Sequence, residues 1–129
     1  MTGPAAFTLD WTPTQAEFDA FAKVSGDDNP IHVDPAFSAR TRFGRTVSHG
    51  MLIYAKVWGL IRSRLPVGPQ VAQTLVFAHP TYAGETVRIE VAEIGRDAAG
   101  IRLAVAARRI EDGASGLEGE ALFAWEAAR

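Results

Sequence analysis

The segment that decides the fold is His49–Arg64, which reads HGMLIYAKVWGLIRSR. Its apolar side chains cover nearly every face of a helix: Met51, Leu52, Ile53, Tyr54, Ala55, Val57, Trp58, Leu60 and Ile61. A helix that is apolar all round is typically a buried helix. Ser48 has the expected character of its N-cap, and Pro66 is expected to end it. The sequence therefore predicts one long, buried, central helix.

The segments after this helix predict strands. Apolar and polar side chains alternate with a period of two over residues 71–77, 87–92, 101–107 and 117–125. This alternation is typical of antiparallel sheets that have one buried face. Turn-forming residues at 97–100 and 111–113 are expected to close two hairpins. Because the helices come first and the strands later, we predict an α+β class, with a curved antiparallel sheet wrapped around the central helix.

The N-terminal part predicts a short strand at residues 7–10 and then two helices. Thr14 and Glu17 have the spacing of a capping box, so the first helix begins there and ends near Ser25-Gly26. Asp34 followed by Pro35 predicts a second helix start. The stretch between them, residues 27–30, is expected to form a loop.

The composition fits one soluble globular domain, which we place at residues 1–129. The net charge of −2 argues against a basic nucleic-acid-binding face. The chain contains no cysteine, which excludes thiolate chemistry and disulfides. The apolar run 51–61 is too short to span a bilayer, and no signal peptide is visible. We therefore expect a cytoplasmic protein with no membrane association.

The residues that could carry chemistry lie in one short segment, Ser25–Pro35. A carboxylate and an imidazole near one water molecule can act as a general acid–base pair, and Asp27 and His32 supply these two groups. Pro30 prevents a continuous helix between them, so a tight turn could bring the two side chains together. From spacing alone, an exposed carboxylate and an unrelated histidine are the commoner outcome.

Several strings in the sequence resemble one known family. Residues 21–32, FAKVSGDDNPIH, together with Ser38, resemble the hydratase 2 signature of the MaoC-like R-specific enoyl-CoA hydratases. Ser48–Met51 resembles the second hallmark of that family, at the start of its central helix. Residues 73–77 and 80–85 resemble the strand pair that follows. The resemblance extends over roughly residues 14–125.

The resemblance implies the hotdog fold and a role for each matching residue. Asp27 and His32 would activate water as the catalytic pair, and the backbone N–H of Gly50 would bind the thioester oxygen. Four residues are expected to contact substrate: Asn29, which would also shape the turn, Ser48, His49 and Met51. The implied protein is a homodimer that acts on acyl-CoA thioesters without a cofactor.

Other functions stay open on the sequence alone. The same chemistry on an acyl-carrier-protein thioester would make the chain a 3-hydroxyacyl-ACP dehydratase of fatty-acid or polyketide synthesis. A non-catalytic acyl-binding hotdog subunit and a thioesterase are the further alternatives. The three scattered histidines show no ligand spacing, so we expect no metal site.

The remaining polar residues are expected to play minor parts. Residues 41–46 are polar and basic, which predicts an exposed segment, and Arg40, Arg42 and Arg45 would be solvated or would meet phosphates of the substrate. Asp28 is the expected bystander beside Asp27. His79 is expected to be structural.

Overall fold

The computed structural model describes residues 3–127 and contains one antiparallel sheet and four helices in that range. The elements are β1 (Ala6–Trp11), α1 (Gln15–Ser25), α2 (Pro30–Val33), α3 (Pro35–Ala39), α4 (Gly50–Arg64), β2 (Val67–Val76), β3 (Val87–Arg96), β4 (Gly100–Arg109) and β5 (Ser115–Trp125). The strand order is β1-β3-β4-β5-β2, and all neighbours are antiparallel. The predicted α+β class is thus confirmed. The predicted domain bounds, residues 1–129, lie partly outside the described residues.

The central helix α4 packs against β3, β4 and β5 and supplies much of the core. Its buried residues are Leu52, Ile53, Tyr54, Val57, Leu60 and Ile61. The prediction that α4 is buried on all faces is wrong, because Met51 is 47% and Trp58 42% exposed and Ala55 between them is exposed too. These three residues follow helical spacing, so they form one apolar stripe on the outer side of α4. Within residues 3–127, no helix is long and apolar enough to cross a membrane.

The predicted helix starts at the N-terminal side are confirmed. The Thr14 hydroxyl accepts a hydrogen bond from the Glu17 amide, and the Glu17 carboxylate accepts one from the Thr14 amide. Gly26 ends α1 with a φ of 79°, in the left-handed region that glycine adopts without strain. The Asp34 carboxylate caps α3 by accepting from the Phe37 amide. These local signals fix where the chain enters and leaves the segment that holds Asp27.

The start of α4 differs from the prediction. His49, not Ser48, is its N-cap, and no side chain caps the helix. The Ser48 hydroxyl donates to the His49 carbonyl at 3.0 Å, and the Ser48 amide donates to the Thr81 carbonyl at 2.7 Å. Ser48 is therefore held against the connection between β2 and β3. Thr46 of that segment is buried rather than exposed, because its hydroxyl donates to Gln15 Oε1 at 2.6 Å.

The edge strand β2 starts earlier than predicted and does not keep a regular alternation. Its register against β5 shifts between Val67 and Gln70, and again between Gln70 and Ala72. A bulge moves the residues that follow it to the opposite face. Val71, which lies at the second of these shifts, is 63% exposed. The other strands keep their predicted places, and the two hairpins connect β3 to β4 and β4 to β5.

Candidate active site

The side chains of Asn29 and Ser38 hold the short helix α2 and the turn that leads into it. The Asn29 Oδ1 atom accepts from the Ile31 amide at 3.1 Å and so caps the short helix α2. The buried Ser38 hydroxyl lies 3.3 Å from the carbonyls of both Pro30 and Ile31. The turn-shaping part of the role expected for Asn29 thus has a structural basis. These bonds hold α2 as a rigid platform for His32, which is the third residue of that helix.

The ring of His32 is fixed by its hydrogen bond to the main chain. Its Nδ1 atom lies 2.8 Å from the Val47 carbonyl oxygen. Because a carbonyl oxygen only accepts, Nδ1 must carry a hydrogen, and in the neutral ring Nε2 then holds the free lone pair. That Nε2 atom faces Asp27, at 3.8 Å from Oδ2. The two residues predicted as the catalytic pair are thus brought together.

The gap between Asp27 and His32 suits a small donor. A separation of 3.8 Å is too long for a direct hydrogen bond, and a neutral imidazole Nε2 facing a carboxylate puts two acceptors opposite each other. A water molecule can donate one hydrogen to each of them. The side chain of Asp27 is 56% exposed and that of His32 only 10%. The carboxylate is therefore the partner that solvent and substrate reach first.

A cavity of about 420 Å³ adjoins Asp27. Its lining includes Phe21, Asp27, His49, Gly50, Met51 and Phe77. Gly50 is the first residue of α4, where backbone N–H groups have no partner within the helix and the helix dipole is positive. The cavity thus places a carboxylate and a set of free N–H donors around the same space.

Phe77 was not singled out in the sequence, and it covers the start of α4. A Cβ atom added at Gly50 would lie 2.8 Å from the Phe77 ring. The close approach of this ring therefore requires glycine at position 50. Phe77 also lines a second cavity of about 240 Å³, together with Arg42, Ser48, Gly50 and His79. Ser48, predicted to contact substrate, lines this second cavity and not the first, whereas His49 and Met51 line the first.

His49 extends the pair into a cluster of three. The His49 ring stacks on the His32 ring, with centroids 3.9 Å apart and an interplanar angle of 25°. One ligand atom from each of Asp27, His32 and His49 lies within 4.8 Å of the others, a convergence that spacing along the chain did not reveal. Near-parallel rings direct their in-plane lone pairs side by side, however, whereas a zinc site needs ligand atoms that converge on one point. The arrangement suits a shared water better than a metal ion.

In the segment that contains Arg40, Arg42 and Arg45, two of the arginines contact neighbouring side chains. Arg45 forms an ion pair with Glu85 and its guanidinium lies 4.3 Å from the centroid of the Tyr82 ring. Arg42 lies over Phe43 at 5.0 Å and lines the second cavity. Of the three arginines that could meet phosphates, Arg42 is therefore the one placed beside a cavity next to Gly50. His79 is exposed, and its amide donates to the Ser115 carbonyl at 3.1 Å, away from the acid–base pair.

The comparisons with known sequences point to one family. The MaoC like domain family model matches residues 3–113. The chain is 44% identical over 78 residues to an (R)-specific enoyl-CoA hydratase of Aeromonas caviae, a segment that covers 59% of this chain and 58% of that enzyme. It is 40% identical over 79 residues to a 3-hydroxybutyryl-CoA dehydratase of Methylorubrum extorquens, over 57% and 50% of the two chains. The matched segments thus span only about half the length of these relatives.

The comparisons with solved structures extend over nearly the whole chain. An unliganded R-hydratase of Pseudomonas aeruginosa superposes with a TM-score of 0.88 at 28% identity, covering 99% of this chain and 84% of that one. The (R)-hydratase of Aeromonas caviae superposes with a TM-score of 0.86 at 32% identity, covering 97% of each chain. The hotdog fold implied by the sequence resemblance is thereby confirmed.

Proposed function

Because the chain belongs to the MaoC-like domain family, we propose that it is an R-specific enoyl-CoA hydratase. It adds water to the double bond of a 2-enoyl thioester and catalyses the reverse dehydration of the 3-hydroxyacyl product. The observation that carries this proposal is the Nε2 atom of His32 facing Oδ2 of Asp27 at 3.8 Å, with Asp27 lining a cavity. The named activity of the relatives supports the choice of reaction.

The proton inventory of the reaction closes within the Asp27–His32 pair. One of the two residues removes a proton from water as the oxygen attacks C3. A proton then passes from the pair to C2, so the pair returns to its starting protonation after each turnover and needs no outside acid or base. The Nδ1–H bond of His32 to the Val47 carbonyl keeps Nε2 directed at the water through both directions of the reaction.

The start of α4 supplies the remaining requirement, which is a hydrogen-bond donor for the thioester oxygen. Negative charge develops on the thioester oxygen as C3 is attacked, and hydrogen-bond donors at that point lower the barrier. Gly50 offers a backbone N–H at the positive end of a 15-residue helix and lines the same cavity as Asp27. In this proposal, Gly50 binds the thioester oxygen while the acid–base pair acts on the adjacent C2 and C3 atoms.

The substrate is proposed to be a CoA thioester, with an acyl-carrier-protein thioester as the alternative. The relatives from Aeromonas caviae and Methylorubrum extorquens carry CoA substrates in their names, whereas a mitochondrial relative of Arabidopsis thaliana, at 34% identity, is named a 3-hydroxyacyl-[acyl-carrier-protein] dehydratase. Rates on the CoA and carrier-protein forms of one enoyl chain would separate the two. The cytoplasmic location stays a prediction.

The proposed assembly is a homodimer. What supports it is the apolar stripe of Met51, Ala55 and Trp58 on α4, which stays exposed in the described chain, and the exposed edge strand β2 with Val71 and Val76. Exposed apolar patches and free strand edges are commonly covered by a partner. Light scattering should give twice the 13.9 kDa chain mass. A monomer that is active at assay concentration would show that the activity does not require a dimer.

The activity is tested directly with purified protein and 2-butenoyl-CoA. The proposal expects loss of the enoyl absorbance and formation of the R-3-hydroxybutyryl product, determined by chiral analysis. Release of free thiol instead would indicate a thioesterase. A folded protein that is inert on enoyl thioesters of several chain lengths, both as CoA and as carrier-protein forms, would leave the non-catalytic acyl-binding subunit as the better account.

A further inference from the structure

His49 is a buried residue that is hydrogen-bonded directly to the backbone of Asp27. It is 2% exposed, and its Nε2 atom lies 2.9 Å from the Asp27 carbonyl oxygen. Since that oxygen only accepts, Nε2 carries the hydrogen and donates. Burial lowers the pKa of His49, an effect that the bond to the Asp27 carbonyl only partly opposes. The ring is therefore a neutral donor with a fixed orientation.

The same ring supports one face of the His32 imidazole. The two rings are stacked at 3.9 Å, and the Phe21 ring lies 4.8 Å from the centroid of His49. His32 is thus held at its edge by the Val47 carbonyl and at its face by His49. Rotation of His32 would break the first contact, and a shift along the ring normal is opposed by the second.

His49 is also the N-cap of α4, so it immediately precedes Gly50. Through its side chain and its main chain, His49 therefore links three parts of the proposed active site: the loop of Asp27, the ring of His32 and the first N–H of α4. Displacements of about 1 Å in such constellations can cost roughly a hundredfold in rate. A residue with these three attachments controls the distance between the groups.

We propose that His49 is a positioning residue for the acid–base pair: its Nε2–H bond tethers the Asp27 loop, and its ring sets the plane of His32. This inference rests on the proposed hydratase function. His49 then acts through Asp27 and His32 rather than by contacting the substrate, which differs from the role that the sequence resemblance implied. A residue that only fills space would need the ring but not the hydrogen bond.

Two substitutions distinguish the role of the Nε2–H hydrogen bond of His49 from the role of its ring volume. His49→Phe keeps an aromatic ring against His32 but removes the donor, and His49→Gln restores an N–H donor at about the position of Nε2. We expect kcat on 2-butenoyl-CoA to fall about 10- to 100-fold in His49→Phe, with KM changed less than about threefold. His49→Gln should recover most of that loss. Equal activities of the two variants, or wild-type kcat in His49→Phe, would overturn the proposal.

A second readout does not depend on the reaction. Loss of the tether should speed hydrogen–deuterium exchange of the amides of Asp27, Asp28 and Asn29 in His49→Phe, whereas His49→Gln should stay near the wild type. The sheet amides serve as the internal control for global stability. Unchanged exchange in His49→Phe would overturn the proposal that His49 tethers the Asp27 loop. Inactivity of the wild type on every enoyl thioester would instead overturn the hydratase function, so the two failures are distinguishable.

Discussion

The Nδ1 atom of His32 lies 2.8 Å from the carbonyl oxygen of Val47, and this bond determines which ring nitrogen faces Asp27. It also predicts a difference between two substitutions at position 32. His32→Asn keeps a donor near the position of Nδ1 and removes Nε2, so it should lose about 10²- to 10⁴-fold in kcat with little loss of stability. His32→Ala should lose the same activity and also about 1–3 kcal/mol of stability, because the buried carbonyl is left without its donor.

Urea unfolding and hydration kinetics of both variants check this prediction. Two variants of equal stability would show that the Val47 carbonyl does not depend on His32. An Asn variant with near-wild-type kcat would show that Nε2 is not part of the chemistry.

The close contact between Gly50 and Phe77 predicts that substitutions at these two positions have non-additive effects on kcat/KM. In Gly50→Ala, the new Cβ would lie 2.8–2.9 Å from three atoms of the Phe77 ring, well inside van der Waals distance. The half-exposed ring must move, and it then disturbs both cavities that it lines. We expect kcat/KM to fall about tenfold, corresponding to a loss of about 1.4 kcal/mol of transition-state stabilisation.

Adding Phe77→Ala to Gly50→Ala should recover part of the lost kcat/KM. A double-mutant cycle measures this coupling. Additive effects of the two substitutions would contradict the contact.

A different glycine contact tests stability. At Gly116 in β5, an added Cβ would meet the buried Thr81 hydroxyl at 2.2 Å, so a buried side chain would have to shift. Gly116→Ala should therefore destabilise the protein by about 1–3 kcal/mol. Gly95→Ala is the matched control, because nothing lies within 4 Å of the Cβ position at that strand glycine. Denaturant titration of both variants tests the difference; equal stabilities would contradict it.

Tyr54 predicts a loss of stability at alkaline pH. Burial raises the pKa of this phenol to about 12 from its usual value near 10, and its hydroxyl donates to Gln70 on β2. The folded state holds the proton more tightly, so the stabilisation is complete below pH 10 and is lost as the pH rises from 10 to 12. Tyr54→Phe should show a flatter decline in unfolding free energy over that window. An unchanged pH slope would mean that Tyr54 does not contribute to it.

The sequence predicted those parts of the fold that local chemistry determines. Capping by Thr14 and Asp34 and the strand alternation in β3 to β5 act over a few residues, and the structure has them where they were expected. The exposed positions of Trp58 and Val71 could not be read in the same way. Trp58 is apolar whether it faces a core or a partner, and a bulge that turns Val71 outward depends on the pairing with β5.

The sequence named the proposed reacting groups but not the contacts that hold them. Asp27, His32 and Gly50 were named because the motif carries their residue types. The Val47 carbonyl has no sequence signal, since every residue has a carbonyl. The stacking of His49 on His32 joins residues 17 positions apart and depends on how α4 enters the core. Such contacts arise only from tertiary packing.

The central claim is that the carboxylate of Asp27 takes part in the addition of water. Neighbouring Asp28 offers a matched control, because it has the same side chain, is also exposed and belongs to the same loop. The most direct measurement is kcat for 2-butenoyl-CoA hydration by Asp27→Asn and Asp28→Asn. The account predicts a loss of about 10²- to 10⁴-fold for the first and near-wild-type activity for the second. An active Asp27→Asn variant, or equal losses in both, would contradict it.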